Sequence, residues 1–209
     1  MIRKLSCIAI ALSLAGCSGG LGGGEYGFNS PYSLVRAGRT AAVGDDSLVV
    51  SPPRDWNRTR TFFFDDVRWV EDWTLNGPIL DQISFVSGLP GGKYLVRQSR
   101  RADRQVPKFR SDMTAPEVAA MVESLFRVRG GTIDFRTTSL QPRPFLGVNG
   151  FQLDYEHLDT DELQRRGRAV GAVVDGELYL ILLDAARSHY FDAAAGDFEA
   201  IVNSARRTG

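Results

Sequence analysis

An α/β/α sandwich of the α+β class, built on a central, mainly antiparallel sheet, is the fold this 209-residue sequence predicts. Three observations carry that expectation. Asp175-Gly176 separates the apolar runs Ala169 to Val174 and Glu177 to Leu183, and such a dipeptide suits a two-residue hairpin because both turn positions need positive φ. In the second arm, Leu178, Leu180 and Leu182 point one way and Tyr179, Ile181 and Leu183 the other, so this strand is central and must be covered on both faces. Two amphipathic segments can supply the covers: one opens at Thr114, and the other carries Phe198, Ile201, Val202 and Ala205 at helical spacing near the C-terminus.

The elements follow in chain order. Leu48 to Val50 reads as a short strand stopped by Pro52 and Pro53. An aromatic-rich region follows, with Trp56, Phe62, Phe63, Phe64, Trp69 and Trp73, and burial in a core is its expected role. From Ile79, the set Ile79, Asp81, Ile83, Phe85 alternates with Leu80, Gln82, Ser84, Val86, which predicts a strand ending near Gly88 and the turn at Pro90-Gly91-Gly92. Tyr94 to Gln98 is expected to pair back with it. Thr114 and Glu117 form a capping-box pattern with Pro116 in the first turn, and Val118, Met121, Val122 and Leu125 recur at helical spacing up to Gly130-Gly131. Ile133 and Phe135 share one face of a further strand, and Phe151, Leu153 and Tyr155 mark a half-buried one. Arg206 and Arg207 suit the negative end of the last helix.

Ahead of this domain lies an address. Residues 1–16 open with Arg3 and Lys4, continue as an apolar stretch from Leu5 to Ala15 and end in small residues, the three-part pattern of a secretory signal. That stretch is shorter than the roughly 20 residues a helix needs to cross the hydrocarbon core, and no later segment supplies them. Leu14-Ala15-Gly16-Cys17 resembles the lipobox of bacterial lipoproteins, which implies cleavage before Cys17 and lipid on its sulfur. Ser18 rather than aspartate after the cysteine points to the periplasmic leaflet of the outer membrane. Cys7 would leave with the leader, so the mature domain would hold no thiol for a disulfide, a metal or a nucleophile. Residues 17–30 are then the lipidated cysteine and a glycine-rich tether, and residues 31–209 a single globular domain.

Composition narrows the function classes. The chain holds 25 basic and 25 acidic residues, so no global charge excess points to nucleic acid. With 43% hydrophobic and 24% charged residues it has the balance of a folded globule rather than of a disordered chain.

No local motif carries chemistry: HExxH and GxSxG are absent, and His157 and His189, the two histidines, have no partner histidine at ligand spacing. Each reads as a surface or capping residue. Asp159, Asp161 and Glu162 form an acidic cluster without the glycine and terminal glutamate of a calcium loop, so a solvated loop is expected. Neither catalytic nor metal-ligating nor cofactor-binding residues are assigned. The sharp charge feature is Arg97, Arg100, Arg101, Arg104, Lys108 and Arg110, offset only by Asp103 and Asp112. The alternatives are contact with anionic headgroups or an acidic partner, and a solvated loop whose arginines pair locally.

The stretches WTLNGPILDQISFVSGL (Trp73 to Leu89), Phe109 to Leu125, FLGVNGFQLDY (Phe145 to Tyr155) and Arg165 to Arg206 resemble a group of bacterial lipoproteins. That group is similar in fold to the PsbP-like family, which includes photosystem-associated luminal proteins and the Ran-binding Mog proteins. The resemblance rests on turn glycines, the hairpin and core aromatics. It implies a module that binds or helps assemble other proteins rather than an enzyme, and it transfers no binding residue. The expected function is therefore a lipid-anchored, periplasm-facing binding or assembly module of the cell envelope, held on the membrane through Cys17 with an envelope protein as partner. The rival readings are a carrier of a hydrophobic ligand and a hydrolase whose site is assembled from distant residues.

Overall fold

The computed structural model describes residues 30–59, 67–97, 106–129 and 131–208. Eight strands form one wholly antiparallel sheet: β1 (Tyr32–Val35), β4 (Trp56–Thr59), β5 (Val70–Thr74), β6 (Asp81–Pro90), β7 (Asp134–Phe145), β8 (Val148–Leu158), β9 (Gln164–Val174) and β10 (Glu177–Ala186), in the order β1-β4-β5-β6-β10-β9-β8-β7. A second antiparallel sheet of three short strands joins β2 (Ala41–Val43), β3 (Leu48–Val50) and β11 (Arg206–Arg207). Helices α1 (Ala115–Arg129) and α2 (Tyr190–Ser204) lie on opposite faces of the large sheet. Among the described residues no helix is long and apolar enough to cross a membrane.

The hairpin forms as its sequence requires. Asp175 and Gly176 take φ of 53° and 84°, the two positive values a type I′ turn needs, and β9 and β10 pair in register from Glu177 opposite Val174 to Ala186 opposite Arg165. Both faces of β10 are buried. Tyr179, Ile181 and Leu183 join a cluster closed by α2 through Phe191, Phe198 and Ile201 and by the small sheet through Val43, Leu48 and Val50. Leu178, Leu180 and Leu182 join a second cluster closed by α1 through Val118, Met121 and Val122. The α1 cap forms the carboxylate half of the expected box: the Thr114 backbone N–H donates to Glu117 Oε2 at 2.7 Å, and the Thr114 hydroxyl donates to the same oxygen at 2.9 Å.

Trp56 and Trp73 are core residues, and Trp69 packs half-buried against the α1 cluster with its indole N–H donating to the Tyr94 carbonyl at 2.8 Å. Phe62, Phe63 and Phe64 lie outside the described residues.

Several expectations change. The strand predicted from Ile79 begins at Asp81, because a turn at Gly77 (φ 101°) captures the Leu80 and Asp81 amides and leaves Ile79 68% exposed. Tyr94 to Arg97 does not pair back as a strand. Leu95 and Val96 instead sink into the α1 cluster, while the neighbouring chain is clasped by Lys93 and Phe109 through the Phe109 amide to the Lys93 carbonyl at 2.9 Å. Ile133 stands outside β7 and is 58% exposed, so it does not share the buried face of Phe135. Arg206 and Arg207 do not serve the helix end. Backbone pairing with Val49 and Leu48 turns them into an edge strand, and Arg207 reaches Asp175 at 2.6 Å. The second sheet, into which Leu48–Val50 falls, has no counterpart in the sequence-based expectation.

One close approach is specific. Tyr155 lies opposite Gly167, and a Cβ there would sit 2.0 Å from Tyr155 Cζ, 2.3 Å from Cε2 and 2.4 Å from the hydroxyl oxygen. Gly167→Ala is therefore expected to displace the fully buried Tyr155 ring and to cost about 2–3 kcal/mol, as overpacking typically does. Urea unfolding of the variant checks it, and an unchanged midpoint would mean the ring does not occupy that space.

Candidate functional site

The register of the large sheet decides which polar residues meet on its α1 face. Side chains alternate along a strand, so β5 presents Val70 and Asp72 there, β6 presents Gln82, Ser84 and Val86, and β10 continues Leu178, Leu180 and Leu182 with Asp184. On the far side Arg165 of β9 pairs directly with His157 of β8. Helix α1 packs over β7 and β8, so the face of β5, β6 and β10 near its C-terminal half is left without a helix. A half-open cavity of about 330 Å³ lies there, with Leu125 and Phe126 of α1 as one wall and Val70, Val86, Leu180 and Leu182 as its floor.

One end of this cavity is charged. His157 holds its two ring nitrogens against two carboxylates: Nδ1 is 2.8 Å from Asp159 Oδ1 and Nε2 is 2.8 Å from Asp184 Oδ2. Thr132 donates to Asp159 Oδ1 at 2.8 Å. Arg165 Nε donates to Asp184 Oδ1 at 2.5 Å, and its Nη1 to the Ile79 carbonyl. The His157 side chain is 1% exposed, and the imidazole lies tilted by 39° against Phe126 at 4.8 Å between centroids.

Only a doubly protonated ring donates to both carboxylates. Burial opposes that charge on His157, yet the hydrogen bonds and negative charges of Asp184 and Asp159 outweigh it and raise its pKa above the ordinary histidine value. Tyr155, wholly buried beside this group, has its hydroxyl pKa pushed well up by burial and then by the Asp184 charge. On β6 and β5, Gln82 donates to Ser84 Oγ at 2.9 Å and Ser84 donates to Asp72 Oδ1 at 2.6 Å.

This arrangement corrects the expectation for His157 and part of the acidic cluster. His157 is neither a surface nor a capping residue; it follows Phe151, Leu153 and Tyr155 on the buried face of β8, and period two carries it inward. Asp159 turns in to meet it, while Asp161 and Glu162 remain exposed as expected of a loop. His189 is exposed at the N-cap of α2 and makes no side-chain cap bond. Among the described residues no group of three or more His, Cys, Asp or Glu is arranged to hold a metal ion. The signal that could have found the site is Asp184, a carboxylate continuing the Leu178, Leu180, Leu182 face.

Of the basic segment, the described residues Arg97, Lys108 and Arg110 do not line the cavity. Lys108 Nζ lies 5.5 Å from the Tyr94 ring, and exposed Arg110 pairs with Asp112 at 3.0 Å and Glu117 at 2.8 Å. The Thr114 amide and hydroxyl, then Arg110, hold the Glu117 carboxyl down at about 2. Arg97 is exposed. Arg100, Arg101 and Arg104 lie outside the described residues, as does Cys17.

The solution structure of cyanobacterial PsbP (CyanoP) from Synechocystis sp. PCC 6803 matches this chain with a TM-score of 0.52 at 18% identity, over 89% of this chain and 98% of that one. The domain has a PsbP-like fold. The Ran-binding protein Mog1p of Saccharomyces cerevisiae also aligns, at 9% identity and a TM-score of 0.47 over 84% of this chain and 94% of that one. No family model matches the sequence, and no curated protein does. At 18% identity the likeness speaks to the fold alone, so the cavity of this PsbP-like domain is read from its own residues.

The His157 pKa gives a pH signature. Because its folded value is raised, the stability it contributes is fully present below the unfolded histidine value of about 6.5 and is lost as pH rises through the folded value. Urea unfolding from pH 6 upward is expected to show stability falling over that window, and His157→Gln to flatten the fall. A variant that kept the native slope would place the titration elsewhere.

Proposed function

We propose that this protein is a non-catalytic binding module, tethered by lipid on Cys17 to the periplasmic side of the cell envelope, that holds a small amphiphilic ligand in the cavity between α1 and the sheet. The cavity carries this reading. Its volume of about 330 Å³ falls within the range of small-molecule sites, which pair apolar walls with a few placed polar groups. Its chemistry suits holding rather than turnover: both His157 nitrogens are committed to carboxylates, and the Ser84 hydroxyl donates to the Asp72 carboxylate, a weaker base for a serine than an imidazole, with no histidine bonded to it among the described residues. Two or more acyl chains on Cys17 would make attachment effectively permanent. A second reading, a protein partner seated over the same mouth, is supported by Ile79 and Ile133. Both are exposed large hydrophobics, and they flank one end of the sheet at the starts of β6 and β7.

A neutral aryl alcohol, 2-phenylethanol, is expected to bind saturably to the anchored protein in lipid nanodiscs, measured by ligand-observed NMR against empty discs. Ser84→Phe and Leu125→Trp, which each place a ring in the cavity, should abolish that binding; binding retained by both would move the ligand elsewhere. For the anchor, Cys17→Ser should abolish palmitate incorporation and shift the protein out of the membrane fraction. A normally acylated, membrane-bound variant would defeat the tether.

A further inference from the structure

We propose that the cavity is selective for a cation: its ligand carries an ammonium or similar positive head on an apolar body. This rests on the ligand-binding reading above and adds the sign of the charge. Four carboxylates line the space, Asp72, Asp159, Asp161 and Asp184, against one guanidinium, Arg165, and one imidazole, His157. The excess is negative even with His157 counted as a cation.

The positive groups are also the ones already committed. Both ring nitrogens of His157 face carboxylates, and Arg165 spends Nε on Asp184 and Nη1 on the Ile79 carbonyl. Their side chains are 1% and 7% exposed. Most of the charged capacity that remains is acceptor capacity. Asp72 uses Oδ1 for the Ser84 hydroxyl and accepts nothing at Oδ2 among the described residues, and Asp161 accepts only the Leu163 amide at Oδ1. An anionic head would meet the carboxylates of Asp72 and Asp161, whereas an ammonium meets them as acceptors. The apolar floor of Val86, Leu180 and Leu182 with Phe126 above takes the body.

The test compares three probes with one aryl body in the nanodisc-anchored protein: 2-phenylethylamine, 2-phenylethanol and 3-phenylpropionate at pH 7, with discs of neutral lipid. The amine is expected to bind at least about tenfold tighter than the alcohol, as a charge-assisted contact implies, with the carboxylate weakest. Asp72→Asn and the exposed Asp161→Asn should each lower the ratio of amine to alcohol affinity measured in the same variant. Equal binding of all three, or a carboxylate that binds best, overturns the charge selectivity and leaves the cavity reading intact. No binding by any probe overturns both. An amine preference unchanged in the Asp72→Asn, Asp161→Asn double variant also overturns the proposal, since the charge would then be sensed elsewhere.

Discussion

Strand β10 must be covered twice, and the architecture follows from that requirement. Leu178, Leu180 and Leu182 on one face and Tyr179, Ile181 and Leu183 on the other are all buried, and each such side chain contributes roughly 1.5–3 kcal/mol when removed from water. One face receives a double cover, since α2 and the three-stranded sheet together shield Tyr179, Ile181 and Leu183. The other receives α1 and the segment through Leu95, Val96, Val106 and Phe109. A helix of 15 residues spans about 22 Å, less than the width of eight strands spaced about 4.8 Å apart. The uncovered remainder of the α1 face is the cavity.

Polar residues are affordable on that remainder only because they satisfy one another. Asp184, Arg165, His157, Asp159 and Thr132 form a continuous hydrogen-bonded group at a depth where an unpaired charge would be strongly destabilising. Such a group gives no assurance of extra stability over an apolar core of equal volume, but its geometry is tightly specified. Three strands supply it: β10 gives Asp184, β9 gives Arg165 and β8 gives His157. The antiparallel register that places Arg165 opposite His157 and opposite Ala186 sets the group in place, and the Gly167 gap that admits Tyr155 lies one step further along the same face.

A bulge shows how local chemistry adjusts the same face. Between Leu178 and Leu180 the pairing of β10 with β6 shifts, and Gly88 adopts φ of 63°. The extra residue lets Val86 and Leu89 both enter the α1 cluster, although strict alternation from Ile83 would send Leu89 to the other side. The period-two pattern of β6 was therefore readable up to Val86 and ambiguous beyond it.

From its residues alone the chain determined the hairpin at Asp175-Gly176, the double burial of β10, the capped helix after Thr114 and the apolar stripe of the last helix, because turn conformation, capping and amphipathic period are properties of neighbouring residues. The same local signals hid His157: two residues past Tyr155 at the end of a strand, it looks like any polar residue leaving a sheet. Only the tertiary structure decided that Arg165 and Asp184 would close on it, that α1 would stop short of Ser84 and Asp72, and that Arg206 and Arg207 would pair with β3 instead of capping a helix. These outcomes depend on strand register and on the extent of a helix across a sheet, which bring together residues as far apart in the chain as Arg207 and Leu48 and leave no trace in local spacing.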